Sequence, residues 1–111
     1  MANYDTGGRG GAELTTPVQL IKTVAAVGTP EALAAVGTYF QYASIFGKKA
    51  ARTDNAGVVY LGTTSANDTQ GIAIGVGSLL SIEAPPKQKY DLGTFYLDVV
   101  TAGDGVVVVY S

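Results

Sequence analysis

The chain has 111 residues, enough for one domain around one hydrophobic core, and it carries a formal net charge of −2 at pH 7 with an isoelectric point near 4.8. It contains no cysteine and no histidine, which removes disulfides, the common zinc ligands, the common general base near neutrality and any Ser-His or Cys-His nucleophile pair. An acidic chain lacks the dense basic footprint that nucleic acid requires, and charged residues make up only 14% against about 25% in an average soluble domain, so part of the surface is expected to rest against partners.

Residues 1–16 include Gly7, Gly8, Gly10 and Gly11 and little that could enter a core. They read as a flexible N-terminal arm that orders on a neighbour. Met1-Ala2-Asn3-Tyr4-Asp5 has neither the basic region nor the apolar core of a signal peptide, and no run of eighteen apolar residues exists. Synthesis in the cytoplasm and no membrane partner are expected. Asp5-Thr6-Gly7 matches the short signature of aspartic proteases, but that carboxylate needs a buried strand ahead of it and here a Gly-rich arm surrounds it, so the match is a coincidence of three residues.

From Pro17 onward short apolar runs alternate with Gly, Pro, Asn and Asp clusters, the rhythm of a β-sandwich spanning residues 17–111. Val18 to Val24 is strand-like in length, with apolar residues in both alternating sets. Thr29-Pro30-Glu31-Ala32-Leu33 carries helix-start signals, but Gly37 leaves barely two turns, and its echo of Thr16-Pro17-Val18-Gln19-Leu20 favours a short strand. Thr38 to Ala51 predicts one long central strand, dense in aromatic and branched residues from Tyr39 to Phe46 and bulged at Gly47. Thr53-Asp54-Asn55-Ala56-Gly57 is turn chemistry, after which Val58 to Leu61 is expected to return as that strand's hairpin partner.

Gly71 to Val76 sets Ile72, Ile74 and Val76 against Gly71, Ala73 and Gly75, a small-residue face that lets another backbone or subunit approach. Leu79 to Ala84 directs Leu80, Ile82 and Ala84 inward and stops at Pro85-Pro86; Phe95, Leu97 and Val99 repeat the pattern. Gly103-Asp104-Gly105 turns into Val106-Val107-Val108-Val109-Tyr110, apolar on both faces and so expected to be buried on both and covered on its edges.

Chemistry-bearing candidates have plainer explanations. Gly71, Gly75 and Gly77 lack the Lys-Ser or Lys-Thr of a phosphate loop, and Asn67-Asp68-Thr69 is a sequon without a secretory context. Lys48, Lys49 and Arg52 form the one basic cluster, read as a solvated strand end. Glu83, Asp91, Asp98 and Asp104 fall at turns, strand ends or outward positions and are expected to be solvated rather than paired for hydrolysis. No catalytic residue, metal site or cofactor is expected. Seven tyrosines suit either an oligomer interface or a sugar-binding surface, the latter with Tyr39, Tyr42, Tyr90 or Tyr96 as stacking platforms. The interface candidates are Tyr4, Arg9 and Leu14 of the arm, the small-residue face Gly71, Ala73 and Gly75, and Tyr39 and Tyr42.

Turn residues are followed by Gly57-Val58-Val59-Tyr60-Leu61-Gly62, a polar loop ending in Gly71-Ile72-Ala73-Ile74, Gly77-Ser78 with Ser81-Ile82, an acidic-aromatic strand at Phe95 to Val99, and a short valine- and tyrosine-rich terminus. In these features Thr38 to Ser111 resembles small structural proteins of tailed-bacteriophage virions. The resemblance covers about two-thirds of the chain, on fold and turn residues. It implies an all-β, jelly-roll-like antiparallel sandwich of about eight strands acting as a capsid decoration or cement protein. It also implies a virion location, a homotrimer, and contact with the major capsid protein, with no enzymatic activity. A tail, head-tail junction or fibre-base component is the alternative within the virion, and a carbohydrate-binding module the alternative outside it.

Overall fold

The computed structural model describes residues 16–63 and 71–111, so the arm expected over residues 1–16 falls almost wholly outside the described residues. The described chain is all-β. Its strands are β1 (Val18–Thr23), β2 (Glu31–Ala32), β3 (Tyr39–Phe40), β4 (Tyr42–Phe46), β5 (Lys48–Ala50), β6 (Thr53–Asp54), β7 (Val59–Gly62), β8 (Ile72–Ile74), β9 (Leu79–Glu83), β10 (Tyr90–Asp91), β11 (Tyr96–Val99) and β12 (Gly105–Tyr110), with one 3₁₀ turn at Leu92–Thr94.

Eight strands form two antiparallel sheets, the first ordered β1-β12-β4-β9 and the second β2-β11-β7-β8; β10-β3 and β5-β6 are short ribbons. The pairing is nested: β1 with β12, β2 with β11, β3 with β10 and β4 with β9, closing on β7 with β8. A long antiparallel ribbon rolled up in this way gives the eight-stranded, two-sheet arrangement of a jelly roll.

The two inner faces make one core. Ala43, Ile45, Val106 and Val108 come from the first sheet and Val59, Leu61, Ile74, Leu97 and Val99 from the second, with Val24, Leu33, Phe40 and Leu92 closing the ends. Leu80 and Ile82 pack inward from β9, and Ala84 is buried, as alternation predicts. Phe40, Tyr90 and Phe95 cluster with centroids 5.9–6.2 Å apart, Tyr90 edge-on to both phenylalanines and Phe40 tilted against Phe95. At the open side of the sandwich Lys22 and Glu31, on edge strands of opposite sheets, form an ion pair at 2.8 Å.

Two expectations about strands are corrected. Thr38 to Ala51 is not one strand; it is β3, β4 and β5, interrupted at Gln41 and at Gly47. Val59–Gly62 is not the hairpin partner of the Tyr42–Phe46 strand; it pairs with β8 and β11 in the opposite sheet. The chain reaches it by spending Lys48–Asp54 on the small β5-β6 hairpin, which packs against β12 and β1. The strand break at Gly47 has a steric cause. A side chain at Gly47 would overlap the Gly75 carbonyl, and the two segments are tied by Gly47 N–H to Ser78 O and Gly77 N–H to Gly47 O, both at 2.9 Å. The small-residue stretch around Gly75 therefore admits a backbone of the same chain.

The last strand is interior, between β1 and β4, which covers both of its edges. Val106, Val107 and Val108 are buried, while Val109 and Tyr110 are half-buried, short of the full burial expected on both faces. Ser111 and Tyr42 exchange hydrogen bonds at 3.0 and 3.2 Å, so odd-numbered residues of β12 bond to β4 and even-numbered ones to β1. The Val24 N–H donating to Asp104 O at 2.9 Å fits that parity. Beyond the end of β4, Gly105 finds a substitute strand in one side chain: Asn55 donates to Gly105 O at 2.8 Å and accepts from Gly105 N–H at 2.9 Å.

Candidate functional site

The four acidic candidates are separate, and three of them are used by the backbone. Asp104 is fully buried, correcting the expectation that it is solvated; its two carboxylate oxygens accept from Ala56 N–H at 3.0 Å and Gly57 N–H at 2.9 Å. A buried carboxylate is tolerable when its lone pairs meet donors, and here it ties the turn before β7 to the turn before β12. Asp98 is buried too, against expectation, although it points away from the core, because the β1–β2 connection lies over it. Its Oδ1 accepts from Gly28 N–H and Val99 N–H at 2.9 Å.

Asp91 caps the 3₁₀ turn, accepting from Gly37 N–H at 2.9 Å and Gly93 N–H at 2.8 Å, and these bonds hold its carboxyl below the usual carboxylate range. Glu83 alone is solvated as expected. Among the described residues no group of three acidic, histidine or cysteine side chains is placed to hold a metal ion. No helix of the described residues is long and apolar enough to cross a membrane.

Tyr39 and Tyr42 do come together. They line a depression of about 340 Å³ with Phe40, Gln41, Glu83, Lys89 and the C-terminal Ser111, and they are 60% and 44% exposed. The Tyr42 hydroxyl lies 3.4 Å from the hydroxyls of Ser44 and Ser81, contacts that lower its pKa from the usual phenol value. Gly71, Ala73 and Gly75 lie on and beside β8 in the other sheet, so the structure does not join them to this tyrosine pair. Tyr4, Arg9 and Leu14 lie outside the described residues. Of the other tyrosines offered as stacking platforms, Tyr90 packs edge-on against Phe40 and Phe95, and Tyr96 is half-buried. Lys48 of the basic cluster is half-buried and lies 3.7 Å from Asp54, a long surface pair of little energetic weight.

The feature that the sequence reading missed is on the outer face of the first sheet. Register places Ile21, Val107, Phe46 and Leu79 side by side across all four strands, and alternation turns all four away from the core. The ends of this apolar row are open, with Ile21 49% and Leu79 54% exposed, and Val76 is exposed nearby in sequence. Its middle is partly covered: Val107 is buried, and Phe46 with Gln19, Lys48, Ala51 and Val109 lines a second depression of about 240 Å³ beside the β5-β6 hairpin. The signal was present in the strands that read as apolar on both faces, Val18 to Val24 and Val106 to Tyr110.

Comparison with protein-family models, with curated proteins and with solved structures finds no match to this chain.

Proposed function

We propose that this chain is a non-catalytic structural protein that decorates and stabilises a bacteriophage capsid, seated as a homo-oligomer on the major capsid protein of a virion assembled in the host cytoplasm. The observation that carries this reading is the apolar row Ile21-Val107-Phe46-Leu79 on the outside of a sheet whose inside already supplies the core. Open apolar area of this kind on a thinly charged chain favours a protein partner. The resemblance of Thr38 to Ser111 to small virion proteins directs that general reading to a capsid. The acidic side chains support a mechanical role, since three of the four considered for hydrolysis are engaged by backbone N–H groups.

The test is co-sedimentation of the purified chain with undecorated tailed-phage capsids. Saturable binding is expected, and Leu79→Ser, at an exposed position, is expected to weaken it about tenfold while changing stability by less than about 0.5 kcal/mol. Binding confined to tails or to the head-tail junction would relocate the protein within the virion. The Tyr39–Tyr42 depression favours a second reading, a carbohydrate-binding module, because two exposed rings border polar groups of Gln41, Glu83 and Lys89. Saturable binding to a glycan array with no capsid binding would establish that reading instead.

A further inference from the structure

The first sheet ends in two edge strands, β1 and β9, and among the described residues nothing pairs with the outer edge of either. Strand edges are ordinarily guarded by shortness, charge or proline. The second sheet follows that practice, since its edges β2 and β8 are two and three residues long. Strand β9 carries the exposed Glu83 and stops at Pro85-Pro86.

Strand β1 is six residues long, and its one charged side chain, Lys22, is turned inward and held by Glu31. By ladder parity Val18, Leu20 and Lys22 bond to β12, so the N–H and C=O groups of Gln19, Ile21 and Thr23 face the open edge. All three residues are uncharged and exposed, and Val18 beside them is 47% exposed.

We propose that β1 is a self-pairing edge: a second copy of this chain adds its own β1 antiparallel to it, about a two-fold axis through Ile21. This register pairs Ile21 with its own copy and Gln19 with Thr23 of the other copy, and each of these hydrogen-bonded pairs exchanges two bonds. It also sets Leu20 opposite Lys22 and Val18 opposite Val24, so no charge meets a like charge. The neighbouring registers are worse. One places Lys22 opposite its own copy, and the other brings Pro17, which has no N–H, into the ladder.

In the favoured register the row Leu79-Phe46-Val107-Ile21 continues through the axis into its two-fold copy, giving one apolar stripe across an eight-stranded sheet. The same pairing on β9 would be centred on Ser81 and would set Leu79 against the exposed Glu83, whereas the Lys22 that β1 sets against Leu20 is turned inward and already paired with Glu31. The proposal rests only on the oligomeric part of the capsid reading, and its test contains no capsid.

The test is solution mass by light scattering over a dilution series, with cross-linking as the locator. The full chain is expected at twice its 11.3 kDa mass, dissociating on dilution. Ile21→Lys, which opposes two charges across the axis, is expected to halve that mass with an unchanged circular dichroism spectrum. Because the chain has no cysteine, Ile21→Cys introduces a single thiol; a hydrogen-bonded antiparallel pair holds its Cα atoms at about 5.5 Å, within disulfide reach. Oxidation is expected to give a covalent dimer of Ile21→Cys and none of Leu79→Cys. The cross-link decides the matter should Ile21→Lys fail to fold. A monomer at all concentrations, a three-chain mass, a mass unchanged by Ile21→Lys, or cross-linking at 79 in place of 21 would overturn the proposal.

Discussion

On the outside of the sheet β1-β12-β4-β9 register lines up Ile21, Val107, Phe46 and Leu79, whereas the outer positions of β2-β11-β7-β8 hold Ala32, Tyr96, Gly62, Asp98, Tyr60 and Ala73. Their inner faces do not differ in kind: Ile45 and Val108 in one meet Leu61 and Leu97 in the other, all buried. Burial of the inner residues accounts for folding through the usual 1.5–3 kcal/mol or so per large apolar side chain. The open ends of the outer row gain little from folding, because Ile21 and Leu79 stay half exposed. Apolar character there adds little to the stability of the fold and is what the proposed association uses; the outer positions of the second sheet lack it.

The largest effect is expected where the edge strand proposed for association joins the fold. Gly105 sits where a side chain would overlap the backbone of Lys22 and Thr23, so Gly105→Val must push β1 off β12. A loss of about 4 kcal/mol or more is expected from the urea midpoint, at the severe end for single substitutions. A loss under about 1 kcal/mol would mean that β1 can be shed from the sheet, leaving a core whose stability is independent of that edge. Next in size are matched core truncations. Ile45→Ala and Leu61→Ala each remove a fully buried branched side chain from opposite layers, and each is expected to cost about 3 kcal/mol. Unequal losses in chemical denaturation would break the claim that the inner faces are equivalent.

Much of this was legible in the residues. The all-β class, the short strand at Glu31–Ala32 and the inward set Leu80, Ile82 and Ala84 follow from turn chemistry and period-two alternation, which are local. Strand partners are not local. Val59–Gly62 looked like the return of a hairpin because the intervening turn residues are real, but they serve the β5-β6 hairpin and the Asp104 carboxylate instead. The burial of the acids is hidden in the sequence for a related reason. A carboxylate at a turn is solvated unless another segment supplies donors, and those of Asp98 and Asp104 come from loops 70 and 48 residues away in sequence. The outer row needed register: Phe46 and Val107 become neighbours only once β4 is known to lie beside β12.

The smallest effect concerns the link between the two sheets. Lys22 bonds to Glu31 and its charge stands beside it, and together these hold the Glu31 carboxyl below its usual range; Asp91 is lowered instead by the N–H groups of Gly37 and Gly93. A depressed folded value means that the stabilisation is complete above the unfolded value, about pH 4 for either residue, and is lost as pH falls through the folded one. Thermal midpoints measured from pH 6 down to pH 2.5 should therefore decline for the native chain, and less steeply for both Glu31→Gln and Asp91→Asn. Salt separates the two. A partly exposed ion pair is screened, so the difference between native and Glu31→Gln should shrink in 1 M NaCl. The difference for Asp91→Asn should persist, because directed backbone hydrogen bonds hold that carboxylate. If both differences vanished in salt, the Asp91 cap would be acting only as a surface charge, and the Gly37 loop would be held by packing against Gly93.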